Sequence, residues 1–228
     1  MSRKGLIIFA REPLPGRVKT RLAASIGDAA AAVLYEAMLQ DVLSISRKIK
    51  DVETIVFWAC DDSSLLQLAE RFRCRSRRQT DGDLGQRMKA AFEDMFNNGF
   101  EICSIIGSDI PDLPPDYIRQ AFDLLETEQT DAVFGPGSDG GYYLLGLVQL
   151  FPELFADIDW STPLVLRQSL DAARTAGAAT AQLPVWHDID TPEDLKALLS
   201  RSGSLSKAGS KTAILATALF DKGMPSYA

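Results

Sequence analysis

The chain has 228 residues, of which 46% are hydrophobic and 24% are charged, proportions that are ordinary for a soluble globular protein. Its formal net charge of -7 argues against a general nucleic-acid or acidic-membrane binder, because such proteins present a basic face. No apolar run approaches the ~20 residues that span a bilayer, and the first apolar run is too short for a signal-peptide core. We therefore expect a cytoplasmic protein with neither a nucleic acid nor a membrane as its partner.

Strand-like and helix-like stretches alternate along the chain. Short apolar or β-branched runs predict strands, and apolar residues that recur every three or four positions predict helices. In chain order, the sequence predicts a strand at 5–10, a helix at 28–49, a strand at 53–60, helices at 63–72 and 83–96, a strand at 101–108, a helix at 114–126, strands at 131–136 and 140–147, a helix at 161–177, a strand at 180–186 and a helix at 191–200. Ser63 and Thr191 are the expected N-terminal caps of their helices, and Val33 belongs to the expected apolar face of the first helix. A further short strand between 72 and 83 stays open.

This alternation predicts an α/β fold with a mostly parallel sheet and helices on both faces. We expect one domain over residues 1–203. Between 201 and 211 the composition turns to Ser, Gly and Lys, which is typical of a linker. Residues 204–228 are therefore expected to form a tail, in which 212–220 could form a short helix.

Charged residues follow several predicted strands, and in open α/β sheets ligands bind beyond the carboxyl ends of the strands. Four cations follow the first strand: Arg11, Arg17, Lys19 and Arg21. Acids follow three later strands: Asp109, then Asp139, then Asp188 with Asp190. Mg²⁺ is typically held by one or two carboxylates together with substrate phosphate oxygens. The combination therefore predicts a phosphate site with a hard divalent metal, Mg²⁺ or Mn²⁺.

Each of these residues also has a purely structural interpretation. Asp109 could cap a helix or turn, and Asp188 and Asp190 could cap the helix that Thr191 opens. The cations could form a solvated face with surface ion pairs. His187, the single histidine, could ligate a metal or act as a base, although packing or a surface hydrogen bond is the simpler role.

Three familiar motifs are excluded. The stretch PGRVKT at 15–20 has one glycine and none before the lysine, so it is not a Walker A loop. The G-x-G-x-x-G signature of dinucleotide-binding folds is absent from the first strand–helix junction, which disfavours NAD. The stretch DIDTP at 188–192 has the form of an aspartyl phosphatase motif, but it lies near the end of the chain instead of on the first strand.

Six stretches together carry a resemblance to a known family: FAREPLPGRVKTRL, GDLGQRM, IGSDIPDLP, FGPGSDGGYYLLGL, WSTP and DIDTPEDL. In this order they resemble a bacterial family of small, provisionally assigned glycosyltransferases in the nucleotide-diphospho-sugar transferase superfamily. The early KTRL and late DIDTPEDL are also similar to those of 2-phospholactate guanylyltransferases and, more distantly, of molybdenum-cofactor nucleotidyltransferases. The resemblance covers roughly residues 5–200 and implies a single-domain, GT-A-like (Rossmann-like) three-layer α/β/α fold.

The resemblance also implies roles for individual residues. Arg11, Gly16, Arg17, Lys19 and Arg21 would meet the phosphates of a nucleotide, with Lys19 and Asp109 as the catalytic pair. Asp109, Asp188 and Asp190 would hold the metal. Two further sets would line the base pocket and the acceptor side: Gln79, Gly82 and Gly85 for the base, and Asp139, Gly140, Gly141, Tyr142, Trp160 and Ser161 for the acceptor.

A metal-dependent transferase that acts on a nucleotide-activated donor and a small-molecule acceptor is the resulting expectation. Sugar and cofactor nucleotidyltransferases usually carry a glycine-rich G-x-G-x-R loop after the first strand, which REPLPGRVKTR replaces here. Both a nucleotide-diphospho-sugar and a nucleoside triphosphate therefore stay open as donors. Glycosyl transfer is favoured by the resemblance, with nucleotidyl transfer and release of pyrophosphate as the alternative. An inert nucleotide-binding protein is a third hypothesis, which the retained acids and cations disfavour.

Overall fold

The computed structural model describes residues 2–201 and 209–221. Its contacts divide the chain into two compact units. Unit 1 comprises Met1–Ala10, Ser46–Gly107 and Pro114–His187, and unit 2 comprises Arg11–Ile45, Ser108–Leu113 and Asp188–Ala228. The predicted domain at 1–203 and tail at 204–228 stay a prediction, and residues 204–208 and 222–228 of that tail lie outside the described residues.

A seven-stranded sheet forms the centre of unit 1. Its strands are β1 (Lys4–Arg11), β2 (Val52–Ala59), β3 (Arg75–Arg78), β4 (Ile102–Ile106), β5 (Ala132–Pro136), β6 (Tyr142–Leu147) and β7 (Thr180–Gln182), in the order β3-β2-β1-β4-β6-β5-β7. The pairs β1–β4, β2–β3 and β5–β7 are parallel, whereas β6 is antiparallel to both β4 and β5. The predicted α/β fold with a mostly parallel sheet is therefore confirmed.

The described residues also form eight α-helices and one 3₁₀ turn at Pro152–Phe155. The α-helices are α1 (Thr20–Ile26), α2 (Asp28–Ser46), α3 (Asp62–Phe72), α4 (Leu84–Asn97), α5 (Pro115–Leu125), α6 (Val165–Thr175), α7 (Pro192–Arg201) and α8 (Lys211–Asp221). Segment 212–220, for which the sequence allows a short helix, lies within α8.

The core of unit 1 is built on the alternation of strand side chains. Ile7, Ile105 and Leu145 stand in register across β1, β4 and β6. They belong to one apolar cluster with Phe92 and Met95 of α4, and all five are at most 4% exposed. Helix α4 therefore packs on this face of the sheet.

The other face of the sheet meets α5. A Cβ added to Gly146 of β6 would lie 2.7 Å from the Leu125 side chain at the end of α5. Gly146 therefore permits a close approach of this helix, as glycine does where a helix packs tightly on a strand. Unit 1 thus has helices on both faces of its sheet, as the alternating pattern predicts.

Unit 2 consists mainly of α1, α2, α7, α8 and the loops that follow β1 and β4. Its apolar cluster joins these helices to the turn before α7 through Leu22, Leu34, Met38, Ile189, Leu195, Leu198 and Ala216. The carboxylate of Asp41 on α2 accepts hydrogen bonds from the backbone N–H groups of Lys211 and Thr212 and from the Ser210 hydroxyl. Asp41 therefore caps the N-terminus of α8 and fixes it to α2.

Helix α2 has 19 residues, and by length and composition alone it is apolar enough to cross a membrane. It is the one such helix in the described part of the chain, and 67% of its most apolar stretch is buried inside the protein. A buried core helix passes the same test. Its predicted apolar face is wrong at one position, because Val33 is 54% exposed.

One helix was not predicted, and three local predictions are wrong at their boundaries. Helix α1 lies within the stretch between the cationic loop and 28–49 that the sequence left unassigned. The strand expected at 180–186 ends at Gln182, two residues before Pro184, which has no N–H to donate, and pairing resumes as one isolated bridge between Gly137 and Trp186. The helix expected from 161 begins at Val165, because Ser161 has the left-handed φ of 65°. Ser63 lies inside α3, whose N-cap is Asp61.

Candidate active site

Three segments of unit 2 meet around a cluster of acidic side chains: the loop after β1, the loop after β4 and the turn before α7. The backbone N–H of Ile189 donates to the carbonyl oxygen of Asp109 at 3.0 Å, which joins two of these segments directly. Ile189 itself is fully buried in the apolar cluster of unit 2. Its neighbours Asp188 and Asp190 are therefore held beside Asp109.

Lys19 lies at the end of the third segment, the loop after β1. Its ammonium nitrogen Nζ lies 3.0 Å from Oδ2 of Asp109 and 2.6 Å from Oδ1 of Asp190, and its side chain is 5% exposed. Burial lowers the pKa of Lys19, but the charges and hydrogen bonds of the two carboxylates outweigh burial and hold that pKa above its usual value. Lys19 is thus a permanent cation within the cluster.

The backbone of Lys19 is unusual. It precedes α1 as its N-cap with φ 47° and ψ 49°, in the left-handed region that non-glycine residues seldom occupy. Such a conformation costs on the order of 1 kcal/mol or more and persists where surrounding contacts fix it. The two ion pairs of the Lys19 side chain are contacts of this kind.

Asp188 completes the acid cluster without an ion pair to Lys19. Burial, followed by the negative charges of Asp109 and Asp190, raises the pKa of Asp188 from 3.8 to about 6. One oxygen from each of the three carboxylates lies within 4.8 Å of the others. The cluster therefore contains more negative charge than its lysine neutralises.

This arrangement fits a hard divalent cation. Carboxylate oxygens are the ligands that Mg²⁺ and Mn²⁺ prefer, and Mg²⁺ usually keeps waters or phosphate oxygens in its remaining positions. The side chains of Asp109 and Asp190 are 34% and 38% exposed, which leaves room for such ligands. That these residues hold a metal stays a prediction.

The Asp190 side chain does not cap α7. Thr191 and Asp194 form the reciprocal cap: the Asp194 N–H donates to the Thr191 hydroxyl at 3.2 Å, and the Thr191 N–H donates to the Asp194 carboxylate at 2.8 Å. The Asp190 carboxylate instead accepts from Lys19. The predicted cap at Thr191 is present.

The other predicted phosphate-binding residues of the first loop are not drawn into the cluster. The residues Arg11, Arg17 and Arg21 are exposed, and within the described ranges their side chains form no ion pair. Gly16 has φ 75°, so the turn in this loop uses a conformation that glycine adopts without strain. The structure thus leaves three cations at the surface of unit 2 and buries the fourth.

The predicted base-pocket residues lie in unit 1. The Gln79 amide nitrogen donates to the carbonyl oxygens of Phe57 at 2.8 Å and Ala10 at 3.2 Å, and the amide oxygen accepts from Arg87 at 3.1 Å. Both amide hydrogens of Gln79 are therefore used by the protein main chain. Gly82 has φ 119° and precedes the reciprocal cap of α4, which Asp83 and Gln86 form.

Gly85 joins this set to one member of the predicted acceptor side. A Cβ at Gly85 would lie 2.5 Å from the indole nitrogen of Trp160, so the ring packs directly on the first turn of α4. This packing contact alone requires glycine at position 85. The structure therefore brings together two residues that the resemblance assigns to different parts of the site.

The remaining acceptor-side residues lie in the turn between β5 and β6, at the first residue of β6 and shortly before α6. The Asp139 carboxylate accepts from the Gly141 N–H at 3.0 Å. Gly140 has φ 90°, and a Cβ there would lie 2.3 Å from the carbonyl oxygen of Pro163. The Tyr142 hydroxyl is buried, and burial raises its pKa, so it is not presented to solvent. Ser161 precedes α6 in the left-handed conformation.

Sequence reasoning missed two groups that support the acid cluster. Asp112, whose side chain is 2% exposed, pairs with Arg201 at 3.1 Å and so ties the loop after β4 to the end of α7. Tyr35 on α2 places its hydroxyl 2.8 Å from Ser108, the residue before Asp109. A buried tyrosine on an otherwise apolar helix face was the available signal, since such a hydroxyl needs a partner.

His187 neighbours Trp186, with a distance of 6.3 Å between the ring centres, and within the described residues it is not a member of the acid cluster. Trp186 in turn packs edge-on against Tyr117 at 5.6 Å. His187 itself is exposed.

Comparisons with known proteins identify relatives of the whole chain. A crystal structure of a provisionally assigned nucleotide-diphospho-sugar transferase from Desulfovibrio desulfuricans G20 is 32% identical, with a TM-score of 0.89, and the match covers 97% of this chain and 98% of that one. No curated protein matches the chain in sequence.

More distant structures share the fold alone. CMP:2-keto-3-deoxy-manno-octonic acid synthetase complexed with CTP is 14% identical, with a TM-score of 0.56 over 87% of this chain and 99% of that one. Glucosyl-3-phosphoglycerate synthase from Mycobacterium tuberculosis, in complex with Mn²⁺, UDP and glucosyl-3-phosphoglycerate, is 14% identical, with a TM-score of 0.51 over 87% of this chain and 76% of that one.

A protein-family model described as "Uncharacterized protein conserved in bacteria (DUF2064)" matches residues 43–162, which is just over half of the chain. Together with the relative from Desulfovibrio, this match places the chain in the superfamily that the six sequence stretches indicate. The protein belongs to the bacterial DUF2064 family, within the GT-A-like superfamily of nucleotide-diphospho-sugar transferases.

Proposed function

We propose that the protein is a divalent-metal-dependent transferase that acts on a nucleotide-activated donor, and that it transfers a glycosyl group from a nucleotide-diphospho-sugar to a small-molecule acceptor. The observation that carries this proposal is the cluster of Asp109, Asp188 and Asp190 within 4.8 Å, with the Lys19 ammonium bound to two of them. Support for the donor class comes from the relative that is 32% identical.

In this proposal Asp109, Asp188 and Asp190 hold Mg²⁺ or Mn²⁺, which when bound would neutralise negative charge on the diphosphate of the donor. Lys19 keeps its proton at all pH values of interest, so it offsets charge on the carboxylates or on a phosphate without exchanging a proton. Lys19 and Asp109 are therefore the residues to which we assign the catalytic role. Their contribution is charge neutralisation and positioning.

The exposed cations of the first loop have a matching role. Arg17 and Arg21 have no ion-pair partner within the described residues, so their guanidinium groups are available for phosphate oxygens, for which planar bidentate donors are well suited. We assign Arg11 and Gly16 to the same phosphate-binding loop. As the bond between sugar and diphosphate breaks, these groups would meet the charge that develops on the leaving diphosphate.

The base and acceptor contacts are proposed as the resemblance assigns them. We assign the base pocket to Gly82, Gly85 and the main chain that Gln79 holds in place. The acceptor contacts are assigned to the turn at Asp139–Gly141 and to Trp160 and Ser161. The hydroxyl of Tyr142 is buried, so this residue would contribute through the position of its ring.

Nucleotidyl transfer is the second candidate. It is favoured by the combination of KTRL at 19–22 with DIDTPEDL at 188–195, which is similar to that of guanylyltransferases. In that reaction an acceptor oxygen attacks the α-phosphorus of a nucleoside triphosphate and pyrophosphate leaves. The same metal and cations would meet the charge of the leaving pyrophosphate.

A thermal-shift panel tests both candidates and the inert alternative. Nucleoside triphosphates and nucleotide sugars are compared, each with Mg²⁺, with Mn²⁺ and with a chelator. We expect a metal-dependent shift that is larger for one or more nucleotide sugars, because bound ligand stabilises the folded state. A larger shift with triphosphates, together with pyrophosphate release, would favour the second candidate, and no shift with any nucleotide would contradict both.

A further inference from the structure

Tyr35 joins the end of β1 to the loop after β4, which carries Asp109. It lies on α2, is 4% exposed, and packs with Val18 and Ala32 in a small apolar cluster. Its hydroxyl oxygen accepts the backbone N–H of Arg11 at 2.8 Å and lies 2.8 Å from the Ser108 hydroxyl oxygen. One side chain therefore touches the last residue of β1 and the residue that precedes Asp109.

The first hydrogen bond of the Tyr35 hydroxyl favours one direction for the second. The backbone N–H of Arg11 can only donate, so the Tyr35 oxygen is its acceptor. The Tyr35 proton then needs an acceptor of its own, and within the described residues Ser108 is the one at hydrogen-bond distance. Burial raises the pKa of Tyr35, so its hydroxyl keeps this proton. This pattern favours Tyr35 as the donor to Ser108, and a bond in either direction ties the two side chains together.

These bonds act on the residue before Asp109, and a second contact acts on the carbonyl group of Asp109 itself. Ser108, which is 6% exposed, is the residue directly before Asp109. The carbonyl oxygen of Asp109 accepts the N–H of the fully buried Ile189 at 3.0 Å. Asp109 thus follows a residue whose side chain is bonded to Tyr35, and its own carbonyl group is bonded to the buried Ile189.

We propose that Tyr35 is a positioning residue of the candidate metal site, which fixes the Asp109 carboxylate by tying Ser108 to the backbone of Arg11. This inference rests on the proposed metal-binding role of Asp109. Outer contacts that orient a ligand change metal affinity strongly, by about tenfold or more when they are removed. Tyr35 itself touches neither the acids nor a substrate.

The substitution Tyr35→Phe tests the hydroxyl and keeps the ring that packs in the core. Tyr143→Phe is the matched control: Tyr143 is 8% exposed in unit 1, and its hydroxyl donates to the Pro184 carbonyl oxygen at 3.0 Å. Both variants lose one buried hydroxyl. We expect the dissociation constant for Mn²⁺, measured by titration calorimetry, to rise about tenfold in Tyr35→Phe and to stay at the wild-type value in Tyr143→Phe.

A double-mutant cycle tests the route through Ser108. We expect Ser108→Ala to weaken Mn²⁺ binding like Tyr35→Phe, and the double variant to lose no more than the larger single loss, because both changes break the same tie. Fully additive losses would overturn the proposed route. Equal Mn²⁺ affinity in Tyr35→Phe and wild type would overturn the proposal itself.

A second measurement keeps the test independent of metal binding. In the metal-free protein, hydrogen exchange of the Ile189 amide reports on the position of Asp109, to which it is bonded. We expect this exchange to accelerate in Tyr35→Phe relative to Tyr143→Phe. If wild-type protein binds no Mn²⁺ and the exchange still accelerates, the proposed metal role fails while the positioning role stands. Unchanged exchange would refute the positioning role.

Discussion

Asp188 and Asp190 are two residues apart in the same acid cluster, yet removing their charges should have opposite effects on the stability of the metal-free protein. Burial and the charges of Asp109 and Asp190 raise the pKa of Asp188 from 3.8 to about 6, so its ionised form is disfavoured in the folded state. The Asp190 carboxylate instead accepts from the buried Lys19 ammonium at 2.6 Å. The two substitutions are Asp188→Asn and Asp190→Asn.

The magnitudes follow from these contacts. A pKa raised by about two units corresponds to about 3 kcal/mol against the ionised form, and solvent screening of this partly exposed group reduces that figure to about 1 kcal/mol. Asp188→Asn should therefore raise the free energy of unfolding at pH 7.5 by about 1 kcal/mol. Asp190→Asn should lower it by about 1–2 kcal/mol, since Lys19 keeps a single carboxylate partner.

The pH dependence has a definite sign. A carboxyl group whose folded-state pKa is raised favours the folded state below its unfolded pKa of 3.8 and loses that contribution as the pH rises through about 6. The advantage of Asp188→Asn over wild type should thus be absent near pH 4 and complete near pH 7.5.

Urea denaturation with a chelator present measures both variants and wild type across this pH range. Added Mn²⁺ should then stabilise wild type and leave Asp188→Asn unchanged, because the variant lacks one ligand of the proposed metal. The reasoning is refuted if Asp188→Asn is less stable than wild type at pH 7.5, or if its advantage does not depend on pH.

Three further results are expected. The affinity of wild type for Mn²⁺ should fall about tenfold between pH 7 and pH 5 as Asp188 takes up a proton, and a flat calorimetric profile would contradict this. Gly85→Ala should lower the free energy of unfolding by about 1–3 kcal/mol, because the new Cβ would lie 2.5 Å from the Trp160 indole nitrogen, and in a Trp160→Ala background the loss should disappear. Asp41→Ala should cost about 1–2 kcal/mol and speed proteolysis within α8, whose N-terminus it caps; protection equal to wild type would count against the cap.

The pattern of apolar runs was sufficient to predict most of the sheet. The strand direction of β6 was not stated, although the sequence contained a signal: only three residues separate the predicted strands at 131–136 and 140–147. A parallel connection needs a dozen or more residues, so this turn requires an antiparallel pair. Strand β7 is shorter than predicted because of Pro184. A pattern of apolar residues does not show how a proline interrupts strand pairing.

The acid cluster was predictable because Asp109, Asp188 and Asp190 each follow a predicted strand, and the structure brings all three together. The burial of Lys19 beside exposed arginines was not predictable, since it depends on a left-handed backbone at this one residue. Tyr35 was missed because apolar periodicity treats tyrosine as core and ignores its hydroxyl.

The central claim is that Asp109 belongs to a metal site that serves a nucleotide-activated donor. Titration calorimetry of Mn²⁺ binding, with wild type, Asp109→Asn and Asp123→Asn, tests it most directly; Asp123 is an exposed acid on α5 and serves as the matched control. We expect one Mn²⁺ site in wild type and in Asp123→Asn, and binding weakened about a hundredfold in Asp109→Asn. Equal Mn²⁺ affinity in all three proteins would contradict the account.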